Sequence, residues 1–227
     1  MEQSAPAGAE MLYPFLSPTI ADIDALLVEV RESTRSKARE ITELRAEFLR
    51  RDGARILACA EAMAERFAGG GRLLAFGNGG SSTDAQDLAS LFLHSDPDRR
   101  SLPAFGLTSD IAVVTALSND VGFDVVFARQ IGAFGRAGDI AIGLSTSGNS
   151  ANLLDAFEAA ARMGMLTVGI AGDHGGRMAE SASIEHLFVI PSTSVHRIQE
   201  AQTTLYHALW ELTLLALGEP GTQAGRS

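Results

Sequence analysis

The chain has 227 residues and a formal net charge of −10, from 18 Lys plus Arg against 28 Asp plus Glu. That balance excludes a nucleic-acid backbone or an anionic membrane surface as the main partner, because both demand clustered cations. Cys59 is the only cysteine, so neither an intrachain disulfide nor a Cys-based zinc site can form.

Residues 1–16 are rich in Ala, Gly and Pro and lack the pattern of a leader peptide. No stretch is apolar for long enough to span a membrane. These features fit a cytoplasmic protein. A helix start is read at Ser17-Pro18-Thr19, followed by Ile20, Ile23, Leu27 and Val30 at helical spacing. A second helical stretch carries Ile41, Leu44 and Phe48. Asp52 is expected to cap a third, with Ile56, Ala60, Met63 and Phe67 on one face and Gly69-Gly70-Gly71 as its stop. Short apolar runs then recur at 72–76, 103–107, 139–144, 166–171 and 186–190. Helical patterns lie between and after them, notably 81–93, 151–163 and 195–217. Strands joined by crossover helices predict an α/β fold with a doubly wound, flavodoxin-like sheet of five parallel strands. A ligand should bind beyond the carboxyl ends of the strands, near the point where their order reverses. Residues 218–227 read as a disordered tail.

Two strand ends stand out. The first strand runs into Gly77-Asn78-Gly79-Gly80-Ser81-Ser82 and then a helix. Glycines permit a tight turn, and a helix N-terminus offers unpaired N–H groups to an anion. A dinucleotide fingerprint would need Gly where Ser82 stands. A P-loop would need Lys after the last glycine, whereas the only Lys is Lys37. The third strand runs into Leu144-Ser145-Thr146-Ser147-Gly148-Asn149-Ser150 and another helix. Its hydroxyls and helix start suit a phosphomonoester. Either loop alone could be an ordinary strand-to-helix turn; together they favour a small phosphorylated ligand.

The segments FGNGGSSTDAQ (76–86), SNDVGFDVVFARQI (118–131), GDIAIGLSTSGNSANLLDAFEAA (138–160), GMLTVGIAGDHGGRMAE (164–180) and RIQEAQTTLYH (197–207) resemble the sugar isomerase (SIS) domain family, and within it the phosphoheptose isomerase group. The resemblance implies an SIS domain at 36–217, preceded by a partly helical extension at 1–35. It implies that Ser145, Thr146, Ser147 and Ser150 hold the sugar phosphate, that Asn78, Gly79 and Ser81 contact the sugar, and that Asn119 and Asp120 lie near the substrate. Gln199 and His207 match catalytic-site residues that are also metal ligands in zinc-containing relatives. The implied reaction is the aldose–ketose isomerisation of sedoheptulose 7-phosphate or a related sugar phosphate, with a carboxylate base and a histidine acid.

The sequence departs from that pattern on the helix after the first loop. Where the family carries a His and, four residues later, a Glu, this chain has Asp87 and Leu91. Leu91 can neither take a proton nor bind a metal. Asp87, Gln199 and His207 remain as candidate zinc ligands. Asp84 and Asp87, at i and i+3 on that helix, are the acids weighed as a replacement base, with no replacement as the favoured expectation. The alternative is a catalytically inactive homologue that acts as an oligomeric regulatory or protein-binding factor, as do relatives such as the DnaA initiator-associating protein. Gln199 and His207 are about 12 Å apart along a helix and about 80° apart around it, so one copy cannot easily aim both at one atom. Ile198, Leu205, Leu209, Leu212 and Leu215 make the last helix apolar over several turns. A homo-oligomer follows as the expectation, and the family resemblance points to a tetramer.

Overall fold

The computed structural model describes residues 23–94 and 99–219. The helix start read at Ser17-Pro18-Thr19 and residues 220–227 of the expected tail lie outside that range. The chain divides into two units, Met1–Glu40 and Ile41–Ser227. The division falls five residues beyond the expected 35/36 boundary. Ile41 is the first buried residue of the described chain, and positions 25–40 are all exposed.

One helix, α1 (Ile23–Ala68), replaces the three helices read from the sequence. Asp52 is not a cap. It lies inside the helix, 2% exposed, and its carboxylate accepts from Arg51 and Arg55 at 2.6–2.8 Å. Those arginines neutralise the one acid that the second unit buries along this helix, so the helix continues. Ile56, Ala60, Met63 and Phe67 are buried as their spacing predicts.

The remaining elements alternate. In chain order they are β1 (Leu73–Gly77), α2 (Gly80–Leu93), β2 (Ala104–Gly106), α3 (Ile111–Asp120), α4 (Val126–Phe134), β3 (Ile140–Ser145), α5 (Ala151–Arg162), β4 (Leu166–Gly172), β5 (His186–Ile190) and α6 (Val195–Ala216). Short 3-10 turns at Phe123–Val125 and Gly176–Glu180 complete the connections. The strands form one parallel sheet in the order β2-β1-β3-β4-β5. The order reverses between β1 and β3, so the loops that leave these two strands flank the switch point.

Side chains alternate across the sheet and feed two cores. Leu73, Ala75, Ile140, Ile142, Val168 and Phe188 pack on one side with residues of α1, α2 and α6. Leu74, Phe76, Ala141 and Ala171 pack on the other with α4 and α5. Asp139, 3% exposed, closes the amino end of the sheet. It accepts from the Arg72 and Arg136 amides and from the Arg72 guanidinium at 2.9–3.0 Å. At the β5 edge, Arg51 and Arg55 donate to the carbonyls of Val189 and Leu187 at 2.7 and 2.6 Å.

Candidate functional site

The β3–α5 loop is built around Gly148. Its φ is +67°, and a side chain there would overlap the carbonyl of Gly175. Only glycine lets the two backbones approach so closely. The second loop grips the first: the Met178 amide donates to the Gly148 carbonyl at 2.9 Å, and the Arg177 amide to Asn149 Oδ1 at 3.0 Å. Ser145 Oγ accepts from the Gly148 amide at 2.9 Å, and Ser147 Oγ from the Asn149 amide at 3.3 Å. Ser150 is the N-cap of α5 but makes no side-chain cap bond. The first turn of α5 therefore has no side-chain cap, and the loop that leads into it carries the hydroxyls of Ser145, Thr146, Ser147 and Ser150. Such a helix start favours an anion through its donors and its dipole.

The β1–α2 loop lies beside it. Asn78 and Asn152 exchange two amide hydrogen bonds of 2.9 Å, which tie this loop to the first turn of α5. Gly79 is the N-cap of α2 and has no side-chain partner to offer, so the donors of this helix start are also uncapped by side chains. Ser81 is buried directly behind it. Ser82 donates to Thr108 at 2.7 Å, which fastens α2 to the segment after β2.

Helix α6 forms the neighbouring wall. Gln202 is fully buried and donates to the Ser145 and Ile170 carbonyls at 3.2 and 3.3 Å, so α6 is docked on the ends of β3 and β4. One turn earlier, Gln199 presses against Gly80, where a Cβ would collide with its amide nitrogen. That nitrogen donates to Asp84 Oδ2 at 3.2 Å. Further along, the Tyr206 hydroxyl donates to Asp87 Oδ2 at 2.5 Å. Burial pushes the Asp84 carboxyl above its ordinary value; the bond from Gln199 opposes this and the charge of Asp87 adds to it. Burial, and then the bond to Asp87, push the Tyr206 phenol well above its ordinary value, so it remains a donor.

The expected site residues separate into two groups. Asn78, Gly79, Ser81, Ser145, Thr146, Ser147, Ser150 and Gln199 gather around the two loops. Asn119 and Asp120 stand exposed at the end of α3, bonded to each other at 2.7 Å rather than to either loop. His207 is exposed, with its ring stacked on Tyr206 at 5.3 Å between centroids. Leu91 is half-buried and packs on the core shared by α1, α2 and α6. Asn152, Asp84 and Tyr206 join this constellation through long-range hydrogen bonds. Their partners lie 74, 115 and 119 residues away.

Zinc does not fit the residues of one chain. Zinc sites draw on four donors, chiefly Cys, His and carboxylate. Leu91 has no donor, which leaves one carboxylate, Asp87, one neutral amide, Gln199, and an exposed imidazole, His207. Among the described residues, no three His, Cys, Asp or Glu side chains gather as a metal-binding group.

The SIS domain family matches residues 38–172, more than half of the chain. This chain belongs to the SIS domain family. A phosphoheptose isomerase of Desulfovibrio desulfuricans is 44% identical over 193 residues, covering 84% of this chain and 87% of that protein. One from Aquifex aeolicus is 40% identical, covering 80% and 94%. The solved phosphoheptose isomerase of Francisella tularensis superposes with a TM-score of 0.74 at 31% identity, covering 82% of this chain and 98% of that one. That of Neisseria gonorrhoeae gives 0.71 at 36%, covering 80% and 96%. The SIS protein described here is thus of phosphoheptose isomerase type in sequence and in fold. Among the described residues, no helix is long and apolar enough to cross a membrane.

Proposed function

We propose that this SIS protein binds sedoheptulose 7-phosphate or a related sugar phosphate and interconverts its ketose and aldose forms. The observation that carries the reading is the β3–α5 loop: four hydroxyl residues between 145 and 150 lead into a helix start without a side-chain cap, on a turn that Gly148 permits. The phosphate would sit there and the sugar chain would run along Asn78, Gly79 and Ser81 toward the wall of α2 and α6. Isomerisation moves a proton between C1 and C2. With Leu91 at the usual base position, Asp84 and Asp87 are the carboxylates that this wall offers. His207 would join from another copy of the chain, since it lies about 12 Å along and about 80° around α6 from Gln199 in its own. The proposal therefore includes a helix-mediated homo-oligomer, a tetramer by family likeness. It places the protein in the cytoplasm, in keeping with its lone buried thiol.

Leu91 favours a second reading, in which the scaffold keeps the ligand and has lost the chemistry, serving as a regulatory or protein-binding factor. One pair of measurements decides. Sedoheptulose 7-phosphate should raise the melting temperature. A coupled assay should show turnover, slower by about 10²–10⁴-fold than in relatives with the Glu. A melting shift without turnover selects the second reading. No shift with this or any related sugar phosphate overturns both.

A further inference from the structure

Helices α2 and α6 meet across a wall that holds two carboxylates, and both carboxylates are already engaged. Asp84 Oδ2 accepts from the Gln199 amide, and Gln199 is itself wedged against Gly80. Asp87 Oδ2 accepts from the Tyr206 hydroxyl, which also reaches Thr203 Oγ1 at 3.4 Å. Tyr206 is 1% exposed and belongs to the main core, so its hydroxyl is delivered to Asp87 by a ring that cannot swing away. One turn beyond Asp87, the wall ends in the apolar side chain of Leu91. The two bonds lie about one helical turn apart on α2 and two turns apart on α6, so they fasten the helices at two points.

We infer that this wall is a metal-free clasp, in which the Asp84–Gln199 and Asp87–Tyr206 hydrogen bonds do the joining that an ion performs in zinc-containing relatives, and that the protein handles its sugar phosphate without a divalent cation. A zinc ion bound to Asp87 would have to share that carboxylate with the buried phenol that already donates to Oδ2, which draws charge away from a metal ligand. An ion bound to Gln199 would gain only a neutral amide, a poor ligand beside carboxylate, imidazole or thiolate. His207 is exposed on its own α6, and supplied by a second copy it would add one imidazole to a set that lacks a donor at Leu91. The clasp instead presents ordered acceptors, and carboxylates are natural partners for the hydroxyls of a polyol chain. This inference rests on the sugar-phosphate reading for the ligand, but not for the absence of the ion.

The test uses the full chain, exposed to excess zinc and then freed of unbound metal. Elemental analysis should find well below one zinc per chain. The melting temperature should be the same with zinc and with chelator, and the shift given by sedoheptulose 7-phosphate should be the same in both. One zinc per chain, or a melting temperature raised by zinc, overturns the inference. Two variants separate a clasp from a ligand set. Tyr206→Phe removes the hydroxyl and keeps the ring, and should lower the melting temperature; an unchanged value overturns the clasp. Asp87→Asn keeps an acceptor for the phenol and should leave zinc content at the same low level; a loss of bound zinc on that change would identify Asp87 as a ligand and overturn the inference. A chain that shows no metal and no sugar-phosphate shift leaves the clasp standing and removes the ligand reading instead.

Discussion

The cradle after β3 and the wall of α2 and α6 are made of different material. The cradle is largely backbone: amides, a left-handed glycine, and a neighbouring loop that holds its shape through the Gly148 carbonyl and Asn149. The wall is made of side chains, each fixed by one partner on the other helix. Backbone geometry survives most substitutions, whereas a reaction centre changes character with a single residue. The contrast explains how a chain 44% identical to a phosphoheptose isomerase can keep the loop and helix start after β3 and still carry Leu91 where a base is expected.

The comparison breaks most readily at the cradle. Gly148→Ala places a side chain on a backbone of positive φ and against the Gly175 carbonyl. It should cost about 2–4 kcal/mol of stability and abolish the melting shift given by sugar phosphate. Urea unfolding and thermal melts with and without ligand measure both. At the wall, Asp87→His together with Leu91→Glu restores the family's pair. It should raise turnover of sedoheptulose 7-phosphate by about 10²-fold or more in the presence of zinc, with the cradle unchanged. No gain in the coupled assay would mean that more than this pair separates the chain from its relatives.

Smaller effects sharpen the contrast. His186, on β5 and remote from both regions, is held below its ordinary pKa by burial. The folded protein therefore prefers the neutral ring. Stability is full above the unfolded value of about 6.5 and falls as the pH drops toward the lower folded value. His186→Gln should remove that part of the acid dependence in unfolding titrations and leave ligand binding alone. Asp84 behaves in the opposite sense. Its raised pKa makes the ionised form a cost to folding, absent at acid pH and present once the pH passes the folded value. Asp84→Asn keeps an acceptor for Gln199 and should raise the melting temperature at neutral pH by about 1–2 °C, while isomerase turnover falls. A site residue whose removal stabilises the fold is one kept for function.

The sheet was legible because buried parallel strands are continuous apolar runs, and both ligand loops because their glycines and hydroxyls are neighbours in the chain. The continuity of α1 was not. Asp52-Gly53 reads as a boundary, and only the guanidinium groups of Arg51 and Arg55 make the acid compatible with a helix interior. Helix α3 escaped for another reason. The ten residues of α3 are mostly apolar but none is buried, so no inward stripe marks it. The wall could not be read as a bonded structure, since Tyr206 and Asp87 are 119 residues apart and no local pattern pairs them.

The arginines on β5 have a further effect. A strand at the rim of a sheet offers its free carbonyls and amides to any passing strand. Here Arg51 and Arg55 already occupy the carbonyls of Val189 and Leu187, and the opposite rim, β2, is only three residues long. Neither rim is a good template for a sixth strand. Copies of this protein are thereby steered away from joining their sheets edge to edge, the geometry that leads to open-ended fibres.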